Sequence, residues 1–380
     1  MHTRLESTGF GESPAPGRHL IPVEFIGMIA TRASSETQAA QGLVIDVAYT
    51  REFARVHEEA GFDRVLIGYY SDAADGFIVA ADVFAHCERL GVLLAHRPGF
   101  ISPTVAARKL ATLDQFSGGR LAVHVISGGS DTDQRRDGDY CNHDTRYRRT
   151  DEYLEVLRAI WTADGTVDHS GEFYRFEGAS SAVRPAQVPY LPIYFGGSSD
   201  AAIAVAAKHA DTYALWGEPL EPARAHIERV REAAAAQGRS LSFSLSLRAI
   251  LGDSEDAAWE RAHALLDQAR ARAAGGIASD ARSESVGSKR LLEAAAAGDV
   301  HDERLFTAIA EATGARGNTT ALVGTAQQVA DSLMRYLDLG ISTILLRGFD
   351  PLEDARSYGD IIGIVRAEVA RRDELAAIDR

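Results

Sequence analysis

The chain has 380 residues, of which 46% are hydrophobic and 25% charged, so it is long enough to bury a large core. Its net charge of −14 argues against nucleic-acid and membrane-surface partners. Its two cysteines, Cys87 and Cys141, exclude a disulfide framework and a CxxC metal pair, as in a reducing compartment. We expect a flexible segment at residues 1–20. This segment lacks a signal-peptide core and no apolar stretch approaches the ~20 residues that span a bilayer, which predicts a cytoplasmic protein.

After residue 20, short apolar runs alternate with longer amphipathic segments. Eight of these runs predict β-strands, at residues 22–30, 64–68, 92–95, 121–127, 191–197, 211–217, 241–251 and 343–348. The segments between them predict helices, including 49–62, 77–91, 102–119 with Ser102 as its N-cap, 150–161 with Thr150 as its cap, and a last helix to about residue 372. Residues 166–178 alternate in character and predict a hairpin.

Eight strands alternating with helices indicate a parallel sheet, because parallel connections need crossovers that are usually helical. This pattern favours a closed (β/α)8 TIM barrel over a doubly wound open sheet, since no GxGxxG follows the first strand. Residues 274–320 interrupt the rhythm and are too long for an ordinary connection, which indicates an active-site lid or a disordered insertion. We therefore predict one α/β barrel domain over residues 21–372, with this insertion before the last βα unit.

Polar and glycine residues follow several strands, where the active site of a TIM barrel lies. Gly196 and Gly197 would let the backbone approach a phosphate, and Ser198, Ser199 and the start of the next helix would bind it. An ordinary serine-capped turn has the same residues. The polar segment 142–149 likewise suits either ligand donors or a solvated helix entrance.

Arginines gather at other strand ends. His96 and Arg97 follow the third strand, Arg248 lies in the seventh and Arg347 ends the eighth. Guanidinium groups match oxyanions such as sulfonate, carboxylate and phosphate, but each of these arginines equally suits a structural ion pair, and His96 a site inside the barrel mouth.

Two further kinds of chemistry fit the sequence poorly. The twelve histidines form no HxxxH or HExxH motif, so no metal site is predicted. A serine-hydrolase GxSxG elbow is also missing from the sequence. These observations leave a phosphate-bearing cofactor and several arginines, without an obvious protein nucleophile.

Five segments in chain order resemble the bacterial-luciferase-like flavin monooxygenases, and among them the alkanesulfonate monooxygenases. They are SPTVAARKLATLDQFSGGR (102–120), HDTRYRRTDEYLEVLRAIW (143–161), YFGGSSDAA (194–202), YALWGEP (213–219) and the stretch from TALVG to PLEDA (320–355). The resemblance extends from about residue 23 to 365. It implies a TIM barrel that uses reduced FMN, supplied by an NAD(P)H-dependent FMN reductase, and O2. It also implies a homodimer or homotetramer and, in the sulfonate members, C–S cleavage to an aldehyde and sulfite.

The same resemblance assigns roles to individual residues. The FMN-binding positions it implies are Ser127, Tyr147, Ser198 and Ser199. His143, in the polar segment 142–149, and Gly197, in the glycine turn, are predicted to bind the cofactor beside them. Trp216 matches an aromatic wall of the substrate pocket. Arg97, Arg248 and Arg347 are candidates to bind the substrate anion because of their guanidinium chemistry, and Arg248 and Arg347 are arginines at positions where the alkanesulfonate enzymes have none. The catalytic candidates are Arg248, Arg316 and His96, with His96 as a proton relay or flavin contact.

The departures from the alkanesulfonate pattern lie on the substrate side. Ala73 aligns with a cysteine, Arg248 with a histidine, and Phe349 with a tyrosine of those enzymes, which leaves the acid–base residue unassigned. A small anionic organosulfur substrate, with a sulfonate as first candidate, is the function predicted. A flavin- or deazaflavin-dependent dehydrogenase and a non-catalytic flavin-binding barrel are the alternatives.

Overall fold

The computed structural model describes residues 22–274 and 285–378. In chain order the elements are β1 (Glu24–Ile29), α1 (Val47–Glu59), β2 (Arg64–Ile67), α2 (Gly76–His86), β3 (Gly91–His96), α3 (Pro103–Ser117), β4 (Leu121–Val125), α4 (Asp131–Arg136), α5 (His143–Thr162), β5 (Val167–Ser170), β6 (Arg175–Ala179), β7 (Ile193–Gly196), α6 (Asp200–His209), β8 (Thr212–Trp216), α7 (Leu220–Ala235), β9 (Ser242–Leu251), α8 (Glu255–Ala274), α9 (Val286–Ala297), β10 (Val300–His301), β11 (Leu305–Phe306), α10 (Ala308–Ala312), β12 (Ala321–Gly324), α11 (Ala326–Leu337), β13 (Thr343–Arg347) and α12 (Pro351–Ile378).

Eight parallel strands close into a barrel in the order β1, β2, β3, β4, β7, β8, β9 and β13, and β13 pairs again with β1. The ten-residue strand β9 closes it, because Trp216 of β8 aligns with Ser246 and Arg347 of β13 aligns with Arg248. The predicted TIM barrel is confirmed.

The barrel strands separate two apolar layers. Ile26, Leu93, Ala122 and Tyr194 form a small buried cluster, while a much larger cluster packs the helices against the strands. Because side chains alternate along a strand, the Met28 side chain, near the end of β1, points to the same side of the sheet as that of Ile26. This alternation determines which side chains reach the mouth of the barrel.

Helix α5 begins earlier than predicted. It starts at His143, and its N-cap is Asn142, whose side chain accepts a hydrogen bond from the backbone N–H of Thr145. Thr150, the predicted cap, is instead buried inside the helix and donates its hydroxyl to the Arg146 carbonyl at 2.8 Å. The β5–β6 hairpin is confirmed, whereas α4 was not predicted and α12 continues past residue 372 to Ile378.

The part of the predicted insertion that the structure describes, residues 285–320, contains α9, the antiparallel β10–β11 pair and α10. It leads into β12, an unpredicted strand that pairs in parallel with the second half of β9. Residues 1–20 and 275–284 lie outside the described residues, and the domain bounds stay a prediction. Among the helices described, none combines the length and apolarity that crossing a bilayer would require.

Candidate active site

The turn between β7 and α6 forms a cradle, defined here as Gly196–Ser199 with Tyr147 above it. Gly197 has φ +132°, and an added Cβ would lie 2.8 Å from the Ala202 Cβ and 3.2 Å from the Tyr147 hydroxyl. The Ser199 side chain caps α6 by accepting from the N–H of Ala202. Burial raises the pKa of Tyr147, and the nearby Ser199 side chain acts in the opposite direction. A glycine turn, three hydroxyls and a helix start are groups that bind a phosphate.

Other predicted cofactor residues lie around this cradle. His143 begins α5, and its ring centroid is 4.7 Å from that of Tyr147. Trp216 ends β8, and a Cβ added to Gly287 in the first turn of α9 would lie 3.3 Å from its ring and 3.8 Å from Ser198 Oγ. Helix α9 therefore begins directly against the cradle and Trp216.

One side of α5 connects three strand ends. Tyr147 reaches the cradle after β7, Thr150 lies 3.0 Å from Ser127 Oγ after β4, and Tyr153 hydrogen-bonds to His96 Nε2 at 2.6 Å at the end of β3. Residues spaced three apart lie on one face of a helix, so α5 holds these groups in one arrangement. The predicted residues Ser127, Tyr147 and His96 are thus fixed by a common element.

His96 is a neutral group at pH 7. Its side chain is 2% exposed, and this burial, with nearby Lys109, lowers its pKa from 6.5 to about 4. A histidine with so low a pKa is a poor general acid at neutral pH, although it can still donate or accept a hydrogen bond.

The buried His96 predicts a pH dependence of stability. Because its pKa is lower in the folded chain than the unperturbed 6.5, the unfolded state binds the extra proton between pH 6.5 and 4, and stability falls as pH falls through that window. The loss approaches about 1.4 kcal/mol per pH unit for this group. Urea unfolding at pH 7.5, 6.5 and 5.5 should show a smaller slope in His96→Gln than in the wild type. An equal slope in both would contradict the assignment, and His263→Gln, at an exposed histidine of α8, is the control.

A cavity of about 480 Å³ opens at the ends of β1, β2 and β13. Met28, Ile67 and Val79 form part of an apolar floor, and Ala73 also lines it, at the position where the alkanesulfonate enzymes carry cysteine. Its charged lining consists of four arginines and two carboxylates: Arg32, Arg272, Arg316, Arg347, Glu36 and Asp72. We call it the basic cavity, since arginines exceed carboxylates there although the whole chain has a net charge of −14.

The predicted substrate arginines differ in their surroundings. The Arg347 side chain is 28% exposed and lines the basic cavity, with Nη1 3.7 Å from Glu36 Oε1. Arg248 is 1% exposed and donates to Glu36 Oε1 at 2.7 Å, to the Gly348 carbonyl at 2.5 Å and to the Asn318 carbonyl at 3.1 Å. Burial, with nearby Arg347, lowers the pKa of Arg248 to about 10, so it remains a cation at pH 7. Arg248 lies behind Glu36 and is not among the cavity-lining residues.

Arg97 lies in a second, smaller cavity of about 330 Å³, which His96 also lines. Its side chain is 5% exposed and donates to Asp133 at 2.6 Å, with the guanidinium 4.4 Å from the centre of the Tyr69 ring. Burial alone would raise the pKa of Asp133, but hydrogen bonds from Ser71 and Arg97 hold it below its usual value. Of the two roles that the sequence allowed for Arg97, anion binding and a structural ion pair, these contacts match the ion pair.

The fold also brings Asp151, Glu155 and His209 within 4.8 Å of one another. Lys208 Nζ lies 2.9 Å from Asp151 Oδ1 and also pairs with Glu155. The ammonium group already pairs with both carboxylates and offsets part of their charge, so the cluster is no argument for a metal.

The sequence analysis did not identify four of the charged residues that line the cavity, Arg32, Glu36, Asp72 and Arg272. Glu36 lies only seven residues beyond β1, where the strand-end rule would have found it. Arg272 comes from α8, a helix, and no rule based on strand ends points to it.

A closed parallel barrel with a cradle and a basic cavity at the carboxyl ends of its strands has the layout of a TIM-barrel enzyme. Residues 23–343 match the family described as luciferase-like monooxygenase, and the chain belongs to that family. A riboflavin lyase (RcaE), solved with modified FMN and riboflavin, has a TM-score of 0.76 at 19% identity and 92% coverage of both chains.

Two further solved structures have similar folds. The EDTA monooxygenase EmoA of Chelativorans sp. BNC1 has a TM-score of 0.73 at 17% identity, over 92% of this chain and 94% of its own. DmoA of Hyphomicrobium sulfonivorans has a TM-score of 0.72 at 21% identity, over 92% and 89%. At these identities the likeness establishes a shared fold.

Proposed function

We propose that this protein is a two-component monooxygenase that uses reduced FMN and O2 to oxygenate a small anionic organosulfur substrate, with a sulfonate as first candidate. The products would be sulfite and an aldehyde. The electrons would come from an NAD(P)H-dependent FMN reductase. The homodimeric or homotetrameric state and the cytoplasmic location expected from the sequence stay predictions.

The observation that carries the proposal is the basic cavity. Four arginines line it in a protein whose net charge is −14, and guanidinium forks match the oxygen geometry of sulfonate. Arg316 and Arg347 are the predicted substrate and catalytic arginines that line it. We assign them to holding the anion, and we assign Arg248 to positioning Glu36.

The cradle fits the phosphate of FMN. Gly197 leaves open the space that a Cβ would fill beside Tyr147, and the Tyr147, Ser198 and Ser199 hydroxyls together with the start of α6 would bind the phosphate oxygens. Ser127 and His143 are the further candidates for flavin contacts. Reduced FMN bound there would supply two electrons and activate O2.

The protein itself would orient the substrate, stabilise the leaving group and exclude water. For an alkanesulfonate, one oxygen atom of O2 would enter the aldehyde and the other would leave as water, while the C–S bond breaks and sulfite departs with the bonding electrons. Arg316 and Arg347 would orient the sulfonate and stabilise the charge on the departing sulfite. Helix α9, which begins against Trp216 and Ser198, would exclude water from the site.

The test is a panel of sulfonates and sulfinates incubated with the protein, FMN, NADH and a flavin reductase, with sulfite measured in air and under argon. We expect sulfite release that requires both the protein and O2. Substrate oxidation that continues under argon would indicate the alternative dehydrogenase. FMN binding with no oxygen-dependent turnover of any member of the panel would indicate a non-catalytic flavin-binding barrel.

A further inference from the structure

The basic cavity contains a carboxylate whose hydrogen bonding is incomplete. Glu36 Oε1 accepts from Arg248 Nη2 at 2.7 Å and lies 3.7 Å from Arg347 Nη1. Glu36 Oε2 is buried and has no hydrogen-bond partner among the described residues. A buried acceptor left unpaired costs about 1–3 kcal/mol, so this oxygen is expected to find a partner in the working enzyme.

Arg248 fixes the orientation of this carboxylate. The guanidinium also donates to two backbone carbonyls, of Gly348 and Asn318, so it cannot turn toward the cavity without losing those bonds. Burial would raise the pKa of Glu36, but Arg248 and Arg347 outweigh it and hold the pKa below its usual value. The cavity lining therefore includes an ionised carboxylate that Arg248 holds in place.

A carboxylate is unfavourable in a site that has to bind only an anion, since it repels the ligand and reduces the effect of Arg347. It becomes favourable when the ligand carries a hydrogen-bond donor beside its anionic group. We infer that Glu36 is a specificity-determining residue, whose Oε2 accepts a hydrogen bond from a hydroxyl or ammonium group of an anionic substrate. Arg248 is its positioning residue.

This inference rests on the proposed anionic substrate and narrows it to hydroxy- or amino-substituted small anions. Arg316 and Arg347 would hold the anionic end, and Glu36 the donor end. If Glu36 served only to neutralise Arg248 and Arg347, the cavity would not distinguish a donor-bearing anion from an apolar one of the same size.

The test compares three ligands of equal length: propane-1-sulfonate, 2-hydroxyethanesulfonate and 2-aminoethanesulfonate. Dissociation constants would be measured by calorimetry on the full chain with oxidised FMN present. We expect the wild type to prefer the two donor-bearing ligands by about tenfold, the usual effect of a hydrogen bond to a charged group. In Glu36→Gln the preference should fall below about twofold, and propane-1-sulfonate should bind at least as well as before.

Asp72→Asn is the matched control, because it removes the other cavity carboxylate and should leave the preference unchanged. Equal wild-type affinity for all three sulfonates would overturn the inference while leaving the proposed anion site intact, whether or not the Glu36→Gln variant folds. Failure of the wild type to bind any of them would overturn the anionic substrate itself. If a folded Glu36→Gln variant kept the preference, a residue other than Glu36 would be responsible for it, and the inference would be wrong.

Discussion

Replacing Gly197 by valine is expected to weaken FMN binding by at least about 100-fold, the effect of losing two charge-assisted hydrogen bonds to a phosphate. Gly197 has φ +132°, and its added Cβ would lie 2.8 Å from Ala202 and 3.2 Å from the Tyr147 hydroxyl. A valine would displace Tyr147 or the start of α6, and the phosphate would lose those donors. Flavin fluorescence titration with FMN measures the change directly.

The control has to separate backbone strain from loss of the cradle. Gly178, on the β5–β6 hairpin, also has positive φ, +61°, and nothing lies within 4 Å of its added Cβ. Gly178→Val also places a β-branched residue at positive φ and should bind FMN normally. Tyr147→Phe removes one donor without altering the backbone and should weaken FMN about tenfold. If a folded Gly197→Val variant bound FMN with wild-type affinity, the cradle would not be part of the FMN site.

The barrel was predictable because its strands are short apolar runs between recognisable helices. All six residues of β3 are buried, and such a run has few other interpretations. The start of α5 was not predictable, because Asn142 and Thr150 are both good N-cap residues. Only the packed structure shows that the Thr150 hydroxyl turns inward toward Ser127. Strand β12 was not predicted because it is short and is not one of the eight barrel strands; it pairs with the second half of β9.

The turn of the cradle, Gly196–Ser199, could be predicted because these residues are neighbours in sequence between β7 and α6. The roles of the arginines could not, since each depends on a distant partner. Glu36 and Arg248 are separated by 212 positions, and Arg97 meets Asp133 only through the fold. Burial distinguishes Arg97 and Arg248, which are almost fully buried beside carboxylates, from Arg347, which is partly exposed and lines the basic cavity.

Arg347→Gln is expected to raise the KM for an anionic substrate by about 10- to 100-fold and to leave FMN affinity unchanged, because a charge-assisted hydrogen bond contributes about 1.5–3 kcal/mol. Arg347 ends β13 at the cavity, and its closest carboxylate contact, to Glu36, is 3.7 Å long. The N–H groups of Arg347 are therefore freer to bind a ligand in the basic cavity than those of Arg248, which are held by Glu36 and two backbone carbonyls. Steady-state sulfite release with the best sulfonate of the panel gives KM and kcat separately.

Two further variants make the result specific. Arg270→Gln removes the same charge from an exposed position of α8, two residues from the cavity-lining Arg272, and should leave KM unchanged. Arg248→Gln leaves the buried side of Glu36 without its partner, so it should lower the free energy of unfolding by about 3–5 kcal/mol, as breaking a buried ion pair does. Arg347→Gln should keep most of its stability, since Arg347 is partly exposed and Glu36 retains Arg248. An unchanged KM in Arg347→Gln would exclude Arg347 from the substrate site, and a loss of stability equal to that of Arg248→Gln would make it a structural residue.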